Sequence, residues 1–155
     1  MEEKFMQEAL KEAKKAFNKK EVPIGAVIVY RNKIISRGYN LRERKNNSLM
    51  HAEIIAINKA CKKLKSWRLD ECDLYVTLEP CPMCAGAIIQ SRIKNVFFGA
   101  NDPKAGCVVS KAELFKPNIF NHNVNVIGGL LESECSEILK NFFSNLRKVD
   151  KPQKL

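Results

Sequence analysis

The stretch Asp73-Leu74-Tyr75-Val76-Thr77-Leu78-Glu79-Pro80-Cys81-Pro82-Met83-Cys84-Ala85-Gly86-Ala87-Ile88-Ile89-Gln90-Ser91, continued by Asn95-Val96-Phe97-Phe98-Gly99, sets strand, helix and strand in one run. Asp73 to Leu78 is rich in β-branched and aromatic residues and predicts a strand. Pro80 breaks that strand, and Cys81 to Ser91 predicts a helix with Pro82 at the position proline favours in a first turn. Asn95 to Gly99 returns to strand composition. Strand, helix and strand in succession need a crossover connection and imply parallel pairing.

Upstream, Ile54, Ile57, Cys61 and Leu64 recur at helical spacing while Lys59, Lys62 and Lys63 lie off that stripe, so a helix starts at or near His51. Before it, Gly25 to Tyr30 and Ile34 to Tyr39 flank the turn Arg31-Asn32-Lys33 and predict an antiparallel hairpin. Residues 2 to 20 carry Phe5, Met6, Ala9, Leu10, Ala13, Ala16 and Phe17 on one helical face. Asn40 to Ser48 reads as a loop. Downstream, Asn101 to Ser110 contains Pro103 and Gly106 and reads as another loop, followed by a short helical turn at Ala112 to Phe115. Val124 to Ile127 predicts a fifth strand, and Glu132 to Arg147 a last helix with Ile138, Leu139, Phe142, Phe143 and Leu146 as its apolar face. The expected fold is α/β: a three-layer α/β/α sandwich with a five-stranded mixed sheet covered by helices. One domain over residues 1–150 and a frayed basic tail at 151–155 are expected, since no repeat or composition shift marks a second domain.

The 155 residues are 45% hydrophobic and 28% charged, which excludes a largely disordered or collagen-like chain. No apolar run approaches the roughly 18 residues of a spanning helix, and the start of the chain lacks a signal or transit composition, so a cytoplasmic protein is expected. The net charge of +10 suits a nucleic-acid partner, because Lys and Arg that neutralise phosphates release counterions. A chain rich in Lys, Asn and Ile acquires such a charge from nucleotide bias as well. Six Cys in a cytoplasmic setting favour metal or redox chemistry over a disulfide framework.

The chemistry concentrates at two predicted helix starts, His51-Ala52-Glu53 and Pro80-Cys81-Pro82-Met83-Cys84. Cys81 and Cys84, three apart, share a helical face and a favourable dipole for thiolates. With His51 they make three N and S donors, which leaves a fourth tetrahedral position open, the catalytic arrangement for zinc. Glu53 is the nearest proton carrier in sequence, although residues two apart diverge on a regular helix. Two other readings use the same pair. A structural zinc would take a fourth ligand from Cys61, Cys72, Cys107 or Cys135. A thioredoxin-like dithiol also follows a strand with Cys-x-x-Cys at a helix start, but leaves His51 and Glu53 without a role.

Together the two segments resemble the signature of zinc-dependent nucleobase and nucleoside deaminases. Glu21-Val22-Pro23-Ile24-Gly25-Ala26-Val27, Gly38-Tyr39-Asn40, Thr77-Leu78-Glu79-Pro80-Cys81, Ala85-Gly86-Ala87, Ser91-Arg92-Ile93, Phe98-Gly99-Ala100 and Asp102-Pro103-Lys104-Ala105-Gly106 extend the resemblance to bacterial tRNA-specific adenosine deaminases. The resemblance implies a cytidine deaminase-like fold, conversion of adenosine to inosine at the tRNA wobble position, one Zn²⁺ per subunit and a homodimer acting on the anticodon stem-loop without a membrane. It assigns His51, Cys81 and Cys84 as zinc ligands and Glu53 as the catalytic proton shuttle. Asn40, Asp102, Lys104, Phe143 and Arg147 fall at substrate-binding positions. Ser144 stands where family members often carry Arg, so the charge there would come from Lys140, Arg147, Lys148 or Lys151. Guanine deaminases share the Cys-Pro-Met-Cys segment and are the alternative within the superfamily; a zinc-containing RNA-binding module is the alternative outside catalysis.

Overall fold

A computed structural model describes residues 2–150, with side chains described through residue 148. The expected tail at 151–155 lies outside the described residues. Helix α1 (Glu2–Asn18) precedes the hairpin β1 (Gly25–Tyr30) and β2 (Lys33–Tyr39). Then follow α2 (Ala52–Leu64), β3 (Cys72–Leu78), α3 (Pro82–Gln90), β4 (Asn95–Ala100), β5 (Asn125–Ile127) and α4 (Glu132–Asp150). The five strands form one sheet in the order β2-β1-β3-β4-β5. β1 pairs antiparallel with β2 and β3, whereas β3–β4 and β4–β5 are parallel, so the sheet is mixed as expected.

Alternation along the central strands divides the core into two layers. Ala26 and Ile28 of β1, Leu74 and Val76 of β3, and Val96 and Phe98 of β4 face α2 and α3. Val27, Val29, Tyr75 and Phe97 face the other way, onto Phe5, Met6 and Ala9 of α1 and Cys135 of α4. Tyr75 and Phe97 stack at 4.5 Å between centroids across the parallel pair. Gly38 of β2 sets the height of α2 above the sheet: a Cβ there would lie 2.4 Å from the Ala52 carbonyl oxygen. The start of α2, where the candidate residues His51 and Glu53 stand, therefore rests directly on the sheet.

Three local differences from the sequence reading have physical causes. The hairpin turn is two residues, Arg31 and Asn32, both at positive φ (50° and 64°), so Lys33 joins the ladder opposite Tyr30. No helical turn forms at 112–115. The Leu114 N–H reaches back to the Cys107 carbonyl, Phe115 is drawn into the core, and Pro117 follows. On α4, Phe142 and Cys135 are buried, whereas Phe143 and Leu146 are exposed by 40% and 46%, so the packed stripe is narrower than the pattern suggests.

Candidate active site

His51 and Cys81 occupy equivalent places, each the residue before a helix, in extended backbone (φ −80°, ψ 156° and φ −77°, ψ 175°). Neither side chain caps its own helix, and both residues line one cavity. Because His51 stands outside the helix, the divergence of residues two apart does not apply, and His51 and Glu53 line the same cavity.

The Nδ1 atom of His51 lies 3.6 Å from the Sγ of Cys81 and 3.6 Å from the Sγ of Cys84. Tetrahedral zinc with Zn–S near 2.3 Å and Zn–N near 2.05 Å separates its nitrogen and sulfur ligands by about 3.6 Å. Two thiolates and a neutral imidazole are also donors that zinc accepts, so both spacing and chemistry fit. Among the described residues, these three form the group that could hold a metal ion. The scattered cysteines Cys61, Cys72, Cys107 and Cys135 are not part of it.

Charge is organised around the same point. Hydrogen bonds donated by the Cys84 thiol and by the His51 ring bring the Cys81 pKa down to about 4, so Cys81 is a thiolate. The hydrogen bond to Cys81, burial and the neighbouring Glu53 push the Cys84 thiol far upward, while the Cys81 sulfur raises the pKa of His51. Glu53 is 4% exposed, and burial is the main cause that lifts its carboxyl to about 7. A carboxyl poised near neutrality beside such donors is suited to both accept and release a proton.

The cavity, about 470 Å³, is of the size that receives a small ligand or a single base. Asn40 and Arg42, the Asn101–Ala105 segment, and Leu139 and Phe143 of α4 all line it. Asn40 is buried; its Oδ1 accepts from the Arg42 N–H at 3.1 Å and its Nδ2 donates to the Val22 carbonyl at 3.3 Å. Asp102 Oδ1 accepts the N–H groups of Lys104 and Ala105, both at 3.1 Å. Lys104 is exposed at the rim. Phe143 therefore joins the site, whereas Arg147 is exposed and does not line the cavity. Ser144 is half-buried.

Sequence reasoning gave no role to Glu79, although it lies two residues before Cys81. Its side chain is buried and accepts four backbone N–H groups and one hydroxyl from residues 102–110. Burial alone would raise its pKa; the Ser110 hydroxyl and the backbone donors overcome that and hold it below the usual carboxylate range.

A family model described as MafB19-like deaminase matches residues 1–147. The chain belongs to this family. The tRNA-specific adenosine deaminase of Bacillus subtilis (strain 168) is 53% identical to the deaminase over 150 residues, covering 97% of this chain and 93% of the relative. That of Rickettsia bellii (strain RML369-C) is 50% identical over 144 residues, covering 92% and 99%. A structure from work on A-to-I editing by tRNA:A34 deaminases at the wobble position superposes with a TM-score of 0.84 at 47% identity, covering 87% of the deaminase and 98% of that chain. A guanine deaminase structure from Bacillus subtilis superposes with a TM-score of 0.61 at 44% identity, covering 64% of each chain. The deaminase thus groups with the tRNA-specific adenosine deaminases, and its α/β sheet is that of the cytidine deaminase-like fold.

Proposed function

We propose that this chain is a zinc-dependent deaminase that hydrolyses adenosine to inosine at the wobble position of a tRNA anticodon. The observation that carries the reading is the meeting of His51 Nδ1 and the Cys81 and Cys84 sulfurs beside buried Glu53, on a chain matched almost end to end by relatives named for this activity. In this reading His51, Cys81 and Cys84 hold one Zn²⁺ per subunit. Zinc supplies Lewis acidity, which lowers the pKa of water from 15.7 towards about 7.

The remaining steps belong to the chain's own residues. Glu53 takes a proton from the attacking water and delivers it to the ring nitrogen next to the carbon under attack. It then passes the second proton to the amino group, which leaves as ammonia, so one water is consumed and Glu53 returns to its starting state. The walls carrying Asn40 and Asp102 to Ala105 hold the base, and Leu139 and Phe143 exclude water from one side. An anticodon loop presents splayed bases, so placing one in the cavity costs less than unstacking a duplex. Lys104 and Arg147, within a chain of net charge +10, meet the phosphates.

The same reading takes residues 1–150 as one domain, working as a cytoplasmic homodimer. Support for association comes from α3, where Met83, Gly86 and Ala87 on an apolar helix stay only half-buried. Among the described residues, no helix is long and apolar enough to cross a membrane.

Ammonia release from three substrates tests the function: tRNA with a wobble adenosine, free guanine and free adenosine. Release from the tRNA alone is expected. Release from guanine alone would move the chain to the rival branch of the superfamily.

A further inference from the structure

Given that function, the 101–110 loop, whose first five residues line the cavity, bears on RNA binding. Residues 101–110 contain no helix or strand, yet they are wrapped around a single buried anion. Glu79 Oε1 accepts the Asp102 N–H at 3.0 Å and the Ser110 hydroxyl at 2.5 Å. Its Oε2 accepts the N–H groups of Val108, Val109 and Ser110 at 3.2, 2.8 and 2.8 Å. The loop comes so close that a Cβ at Gly106 would lie 2.3 Å from Glu79 Cδ and 2.4 and 2.5 Å from its two oxygens. Asp102, fixed through its own N–H, then organises the tip, because its Oδ1 takes the Lys104 and Ala105 N–H groups. A chain of hydrogen bonds thus runs from the end of β3 to the rim where Lys104 stands.

We propose that Glu79 is a positioning residue for RNA capture: without touching substrate, it moulds the 101–110 loop and so sets where Asp102 and Lys104 meet the anticodon loop. A wall fixed before the RNA arrives loses less conformational freedom on binding. Gly106 is part of the same device, since only a residue without a Cβ lets the loop close on the carboxylate.

Glu79→Gln keeps the volume but places an amide NH₂ against N–H donors, and Gly106→Ala pushes the loop off an intact carboxylate. In both variants, hydrogen exchange of the 102–110 amides is expected to rise about 10-fold or more in the absence of RNA. Zinc per chain stays at the parent value. KM for tRNA rises about 10-fold or more, whereas kcat falls by less than about threefold. Adding Lys104→Ala to Glu79→Gln adds little, because a misplaced Lys104 has already lost its contact. Unchanged exchange and KM in both variants would overturn the proposal, as would a KM effect fully additive with Lys104→Ala. A parent chain that edits no tRNA would instead remove the proposed function, while editing with a KM indifferent to both substitutions removes only the role of Glu79.

Discussion

Replacing Glu53 by Gln in protein stripped of metal and kept reduced separates what the buried carboxyl does for the fold from what it does for the reaction. The carboxyl is 4% exposed and titrates at about 7 when folded, against 4.5 in an exposed chain. The folded state therefore holds this proton over a pH range in which the unfolded state has released it, so stability falls as pH rises from about 4.5 to about 7. The gap corresponds to on the order of 3 kcal/mol. Cys81 contributes with the opposite sign: its thiol is depressed to about 4, so its stabilisation grows as pH rises above that value. Wild-type stability mixes these slopes with that of His51, whose raised pKa also favours the folded state at low pH, whereas the difference between Glu53→Gln and wild type reports Glu53 together with its coupling to His51. Urea unfolding at pH 4 and pH 8 is the assay. The variant should gain about 3 kcal/mol on wild type between those two pH values. A difference that stays constant with pH, or one that moves in favour of wild type as pH rises, would refute the burial argument for Glu53.

Other predictions follow from single residues. In zinc-loaded protein, Glu53→Ala should keep its metal and lose about 10²- to 10⁴-fold in kcat, read from inosine formation under saturating tRNA. Cys84→Ala removes one of the three donors and should purify with little zinc, which elemental analysis shows directly. Phe98 is 1% exposed at the centre of the larger apolar layer, so Phe98→Ala should cost about 3–5 kcal/mol in urea unfolding without shifting the KM of the fraction that remains folded.

The sheet and its covering helices were legible because their residues repeat with periods that belong to strands and helices. Val27 and Val29 alternate with Ala26 and Ile28, and the structure sends the two pairs to opposite layers. The group that could hold a metal drew attention for a different reason: His, Cys and Cys placed at two helix starts have few other uses together, and the structure brings the three together. What periodicity could not give was backbone direction at those starts. Whether His51 and Glu53 reach one cavity depends on His51 lying in extended backbone one residue before α2, which no spacing rule states. The segment after Ser110 misled because Ala112 to Phe115 has helical composition, but Phe115 is taken into the core and the Leu114 N–H goes to the Cys107 carbonyl. Glu79 escaped notice because its partners lie more than twenty residues away, and an acid between Leu78 and Pro80 carries no local mark of the loop folded around it.

Incubating metal-replete protein with an unmodified tRNA carrying adenosine at the wobble position, and sequencing the product for inosine at every adenosine of the anticodon arm, reads activity and site selection in one experiment. Inosine at the wobble position alone, abolished by chelation and restored by zinc, is the predicted result. Inosine spread over several adenosines, or editing that persists after the metal has been removed, would contradict the proposed function.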